Sequence, residues 1–184
     1  MDDAVRGKLG AAIDDLKPTA RDVSWVATGN LHLTVKFLGA VAEDRIEAVT
    51  GALTGAIAGV GAFDAQVEGL GAFPSATRPR IVWAGVTAKA GTMGDLAGRV
   101  DDALAALGFT REARPFSPHI TLGRVRLPGR IPALTEALRG AASRGFGGLR
   151  VVRVSLMRSE LSPLGARYTE LAAASLGGAG GGGV

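Results

Sequence analysis

"NLHLTVKFLG", residues 30–39, alternates apolar and polar side chains as a half-buried strand should. It also sets a histidine two residues before a threonine. "SPHITLGRVR", residues 117–126, does the same again. His32 and His119 are the only 2 histidines in 184 residues, and each has threonine at the second position after it. Threonine fills 12 of the 184 positions. The double coincidence therefore has odds of about 1 in 200 by chance.

Alternation across a strand puts His32, Thr34 and Lys36 on one face, with Leu31, Leu33, Val35 and Phe37 on the other as core. In the second stretch His119 and Thr121 share a face, while Ile120 and Leu122 point inward. An imidazole titrates near neutral pH and can donate or accept a proton. A neighbouring hydroxyl can donate a hydrogen bond to a phosphate oxygen. Two such units facing one another supply an acid, a base and two phosphate-holding donors. That set can cleave a phosphodiester without metal.

Other chemistries fit less well. With no cysteine, disulfides, thiol catalysis and cysteine-ligated zinc are excluded. Two histidines fall short of the three or four ligands a zinc site needs. A Ser-His-acid triad leaves one histidine unexplained. No Gly-Lys-Ser/Thr phosphate loop is present. No apolar run reaches membrane-spanning length and the start has no signal-peptide pattern, so the expectation is a soluble, cytoplasmic protein. The formal net charge of +4 suits a polyanionic partner. Arg111, Arg114, Arg124, Arg126 and Arg130 cluster around the second histidine.

Patterning predicts helices at 2–16 (ended by Pro18), 43–59, 95–107 (stopped by Gly108) and 132–143. Strands are expected at 23–27 and 31–39, joined as a hairpin through Gly29-Asn30, and at 63–70, 80–87 and 119–126. Two more, at 149–159 and 166–174, are joined by a Ser-Pro-Leu-Gly turn. This mixture argues for an α+β fold with largely antiparallel sheet. Each half of the chain holds a His-x-Thr strand, so a pseudo-symmetric arrangement of two lobes would bring the two together. Residues 1–176 read as a single two-lobed domain, and the tail "GGAGGGGV", 177–184, as disordered.

The paired motifs resemble those of the two-histidine phosphoesterases, in particular the RNA 2′,3′-cyclic phosphodiesterases, also called 2′-5′ RNA ligases. "SWVATGNLHLTVKFLG", "GLGAFPSATRPRIVWAGV", "LGFTREARPFSPHITLGRVR" and "VSLMRSELSPLGARYTEL" look like segments of that family in its order. The resemblance covers about residues 2–174. It implies two α+β lobes with antiparallel sheets flanking a central cleft, helices outside. It implies hydrolysis of RNA 2′,3′-cyclic phosphate ends to 2′-phosphates with no metal and no cofactor. A monomer with no obligate protein partner is expected, although the sequence does not give the oligomeric state. By position, His32 matches the family's proton donor and His119 its acceptor, with Thr34 and Thr121 holding phosphate oxygens. The residues alone are near-symmetric and do not assign donor and acceptor. Arg124 matches a family arginine, yet on a regular strand it points away from Thr121; a bulge at Gly123 would bring it round. Arg114 and Tyr168 are further substrate-binding candidates, and Phe73 and Trp83 read first as core aromatics that could also stack on a base. Family members usually open with a short strand before the first helix, whereas this chain starts inside what reads as that helix; either the strand is absent and the first sheet has lost it, or the start is misassigned or truncated. Two alternatives stay open: a catalytically weak module that binds RNA ends or nucleotides, and 2′-5′ ligation as the reverse reaction.

Overall fold

The structure, a computed structural model, describes residues 1–162 and 165–177. The chain divides into two compact units that interleave along the sequence. The first comprises Met1–Thr34, Ala65–Thr87 and Pro118–Leu149; the second comprises Val35–Asp64, Ala88–Ser117 and Arg150–Val184. Both His-x-Thr motifs lie in the first unit. Among the described residues no helix is long and apolar enough to cross a membrane.

Helix α1 (Asp3–Leu16) forms where expected. Asp2 caps it by accepting from the Val5 N–H at 2.8 Å. Val5, Leu9, Ala12, Ile13 and Leu16 recur at helical spacing, and all are buried. A five-stranded sheet has the order β1-β4-β3-β2-β5. Its strands are β1 (Val23–Trp25), β2 (Phe63–Phe73), β3 (Ile81–Ala88), β4 (His119–Val125) and β5 (Gly145–Val151). It belongs to the first unit apart from the ends of β2, β3 and β5. β4 lies inside the sheet: β1 and β3 pair with it antiparallel, one on each edge. Ile120 and Leu122 are fully buried, as the alternation requires. Helix α4 (Pro132–Gly140) buries Leu134 and Leu138 and is shorter than expected.

The second unit holds α2 (Ile46–Ile57), α3 (Thr92–Ala106) and the antiparallel pair β6 (Arg153–Ser162) and β7 (Gly165–Ser175). Its core joins Val49, Leu53 and Ile57 to Leu96, Val100 and Leu104, with Val154, Ala174 and Leu176.

The expected hairpin of 23–27 with 31–39 does not form. Residues 28–30 make a short 3₁₀ turn, and 31–39 contributes only an isolated bridge, Leu33 with Ile120. The reason is competition for one edge. β1 and the Leu33 segment lie end to end along the same side of β4: Trp25 pairs with Gly123, the Val26 N–H donates to the Leu122 carbonyl at 2.8 Å, and Leu33 meets Ile120. Sharing an edge, they cannot also pair with each other. Without a full strand the alternation fails beyond Thr34. Leu31 is buried, Leu33 and Val35 are half-buried, and Phe37, expected in the core, is 71% exposed. β5 is a second difference: it is separate from β6, and three glycines (Gly145, Gly147 and Gly148) made its start read as loop. The Ser-Pro-Leu-Gly turn and the tail from 178 onward lie partly and wholly outside the described residues.

Candidate active site

The bridge between Leu33 and Ile120 is antiparallel, so the register one step to either side sets His32 opposite Thr121 and Thr34 opposite His119. Leu33 and Ile120 face the buried side. The two histidines and two threonines therefore share the other face in a crossed square. Opposed positions on such a pair have Cβ atoms about 4.5–5.5 Å apart and diagonal ones about 7–8 Å. The two histidine positions occupy one diagonal and the two threonine positions the other.

His32 is exposed, and its Nδ1–H donates to the Asn30 carbonyl at 2.7 Å. A carbonyl can only accept, so Nδ1 carries the proton in this contact. The turn that places His32 is held from α1. The Arg6 guanidinium donates to the carbonyls of Thr28 at 2.9 Å, Gly29 at 3.0 Å and Leu31 at 3.5 Å. Arg6 escaped the sequence reading because a basic residue in an amphipathic helix carries no sign of the partner it will meet.

His119 opens β4 and is half-buried. The Phe73 ring meets its ring edge-on, centroids 5.1 Å apart at 83°. Trp83 lies 5.3 Å from Phe73 at 38°. The Phe73 ring thus links those of Trp83 and His119. Trp83 reaches it because Gly71 has no side chain: a Cβ there would stand 2.3 Å from the indole Cζ2. Phe73 and Trp83 are half-buried rather than sealed in the core, and the buried indole Nε1 of Trp83 has no hydrogen-bond partner among the described residues.

Arg124 depends on a bulge, and one is present. Trp83 pairs with Thr121, but Val82 pairs with Gly123, so Leu122 is an extra residue on β4. The shift turns Arg124, which pairs with Ile81 and Ser24, onto the face that carries His119 and Thr121. Its side chain is exposed and among the described residues has no partner. Arg114 (exposed) and Tyr168 (half-buried, opposite Ser159 in the β6–β7 pair) belong to the second unit.

Lys36, expected beside His32 and Thr34, departs from that face. In the second unit its ammonium donates to Asp101 at 2.5 Å and to the Thr110 carbonyl at 2.6 Å, with its side chain only 4% exposed. That hydrogen bond, above all, holds the Asp101 carboxyl below its ordinary range; burial opposes it, and the Glu112 N–H and Arg111 add to it. Among the described residues no group of three or more His, Asp or Glu side chains is placed to hold a metal ion.

Residues 5–163 match the 2′-5′ RNA ligase superfamily. A protein of Methanothermobacter thermautotrophicus named RNA 2′,3′-cyclic phosphodiesterase is 34% identical over 171 residues, 93% of this chain and 92% of its own length. One of the same name from Aeropyrum pernix is 34% identical over 165 residues, 90% of this chain and 93% of its own. Among solved structures, TT0787 of Thermus thermophilus superposes with a TM-score of 0.78 at 29% identity, covering 96% of this chain and 93% of that one. E. coli LigT complexed with 3′-AMP gives 0.74 at 25% identity, covering 94% and 91%.

Proposed function

Since the chain belongs to the 2′-5′ RNA ligase superfamily, we propose that it hydrolyses the 2′,3′-cyclic phosphate at RNA 3′ ends to a 2′-phosphate, with its own side chains and no metal or cofactor. The observation that carries this reading is the antiparallel Leu33–Ile120 bridge, which crosses the two His-Thr pairs on one face. Two like-named relatives of matching length support the substrate class.

In this mechanism the cyclic phosphate lies over the square, its non-bridging oxygens held by the Thr34 and Thr121 hydroxyls. His119 takes a proton from water as the water oxygen attacks phosphorus. The bond from phosphorus to O3′ breaks, and His32 gives its Nε2 proton to O3′. The products are a 2′-phosphate monoester and a free 3′-hydroxyl; the proton taken by His119 returns to His32 through solvent. The Asn30 carbonyl keeps the donor nitrogen of His32 turned outward. Each positioned proton transfer is worth on the order of 10²–10⁴-fold. Arg124 adds a fixed positive charge against the phosphorane.

The test is a short RNA ending in a 2′,3′-cyclic phosphate, incubated with excess chelator. The expected product is the 2′-phosphate, with activity lost in His32→Ala and in His119→Ala while circular dichroism stays unchanged. A 3′-phosphate product, dependence on added metal, or near-full activity in either variant would overturn the mechanism.

A further inference from the structure

The arginine cluster noted in the sequence separates in space. Arg111 is tied to Asp102, and Arg124 joins the histidine face. Arg130 goes elsewhere: it lines a cleft of about 470 Å³ with Pro74, Arg78, Arg80, Pro128 and Gly129. We propose that this cleft is a second phosphate subsite, which grips backbone phosphates of an RNA chain whose cyclic end sits at the histidines. The proposal rests on the function proposed above.

Three features carry it. First, the lining holds three arginines and no carboxylate. Arg139, Arg144, Arg150, Arg153 and Arg158 each meet a carboxylate on this protein's surface, whereas Arg78, Arg80 and Arg130 have no side-chain partner among the described residues. Second, the like charges are held together by backbone. The Arg80 N–H donates to the Phe73 carbonyl at 2.7 Å, and the Thr135 hydroxyl donates to the Ala76 carbonyl at 2.8 Å, tying the loop of Arg78 and Arg80 to α4, the helix that follows Arg130. Three exposed guanidinium groups in a lining without a carboxylate suit an anion with several oxygens. Third, β4 joins the cleft to the site. It runs from His119 and Thr121 past Arg124 to Val125, whose N–H donates to the Arg80 carbonyl at 2.9 Å. Four residues of strand span about 13 Å. A mononucleotide at the histidines leaves the cleft empty; an oligonucleotide continues into it.

The test uses the full chain and two substrates, a 2′,3′-cyclic mononucleotide and a hexaribonucleotide with the same terminal base and cyclic end. The double variant Arg78→Gln/Arg130→Gln is expected to raise KM for the hexamer about tenfold, leaving its kcat and both constants for the mononucleotide unchanged. The slope of log affinity against log salt should flatten by about 1.4, at roughly 0.7 per contact on single strands. A hexamer KM that does not move, or equal losses on both substrates, would overturn the subsite. Fluorescence anisotropy with a hexamer ending in a 3′-phosphate separates the two proposals. Weaker binding by the variant with no turnover by the parent protein sinks the catalytic reading and keeps the cleft; turnover with binding the variant does not alter sinks the cleft alone.

Discussion

Replacing Lys36 with methionine removes one ammonium and keeps most of the aliphatic stem. The Lys36 side chain is 4% exposed and Asp101 17% exposed, so this is an ion pair largely out of water. Breaking such a pair from one side costs about 3–5 kcal/mol, because a charge is left buried and unmatched. Here Asp101 keeps the Glu112 N–H at 3.3 Å and Arg111 at 3.9 Å, while the Thr110 carbonyl loses a donor at 2.6 Å. The loss should therefore sit below that range, at about 2 kcal/mol, which for a chain of this length is a fall in Tm of roughly 4–8 °C. Urea unfolding followed by circular dichroism reads it. The double variant Lys36→Met/Asp101→Leu removes both charges and should recover most of the loss, since apolar replacement of a whole buried pair is often neutral. A single variant within about 1 kcal/mol of the parent, or a double variant no better than the sum of two singles, would refute the view that the cost lies in the orphaned carboxylate.

The same pair makes stability depend on pH. Asp101 is depressed below 3.8 in the fold, so its contribution is present above that value and lost as pH falls through the lower folded value. Urea midpoints from pH 5 down to 2 should fall more steeply for the parent than for Lys36→Met. Arg6→Gln frees the turn that carries His32; kcat should fall by up to about 10²-fold with KM little changed, partly rescued by Arg6→Lys, and steady-state kinetics on a cyclic-phosphate substrate decides it. Gly71→Ala drives a Cβ into the Trp83 indole. It should cost about 1–3 kcal/mol in urea unfolding, and an unchanged midpoint would show that the indole can move aside.

Helices announced themselves in the sequence because their signals are local. Asp2 caps α1, glycine at φ +87° follows α3 at Gly108, and apolar residues recur every three or four positions. β4 was legible for the same reason, its alternation running unbroken through Ile120 and Leu122. The segment 31–39 carried an equally clear alternation and did not become a strand. Local pattern cannot register that another segment already occupies part of the edge it needs. Arg124 shows the converse: its place on the histidine face hangs on the bulge at Leu122, a property of the β3–β4 pairing and of neither strand alone.

By itself the sequence determined which residue types recur as a pair. Two histidines, each two residues ahead of a threonine, carry their meaning in covalent spacing, and no folding is needed to read it. The tertiary structure decided how they are arranged. It crossed the pairs through one antiparallel bridge, held His32 by its turn and Arg6, turned Arg124 toward them, drew Lys36 away and gathered Arg78, Arg80 and Arg130 into a cleft. Each of these depends on contacts between segments far apart in the chain. Such contacts form by competition for strand edges, carboxylates and space, which no single stretch of sequence records.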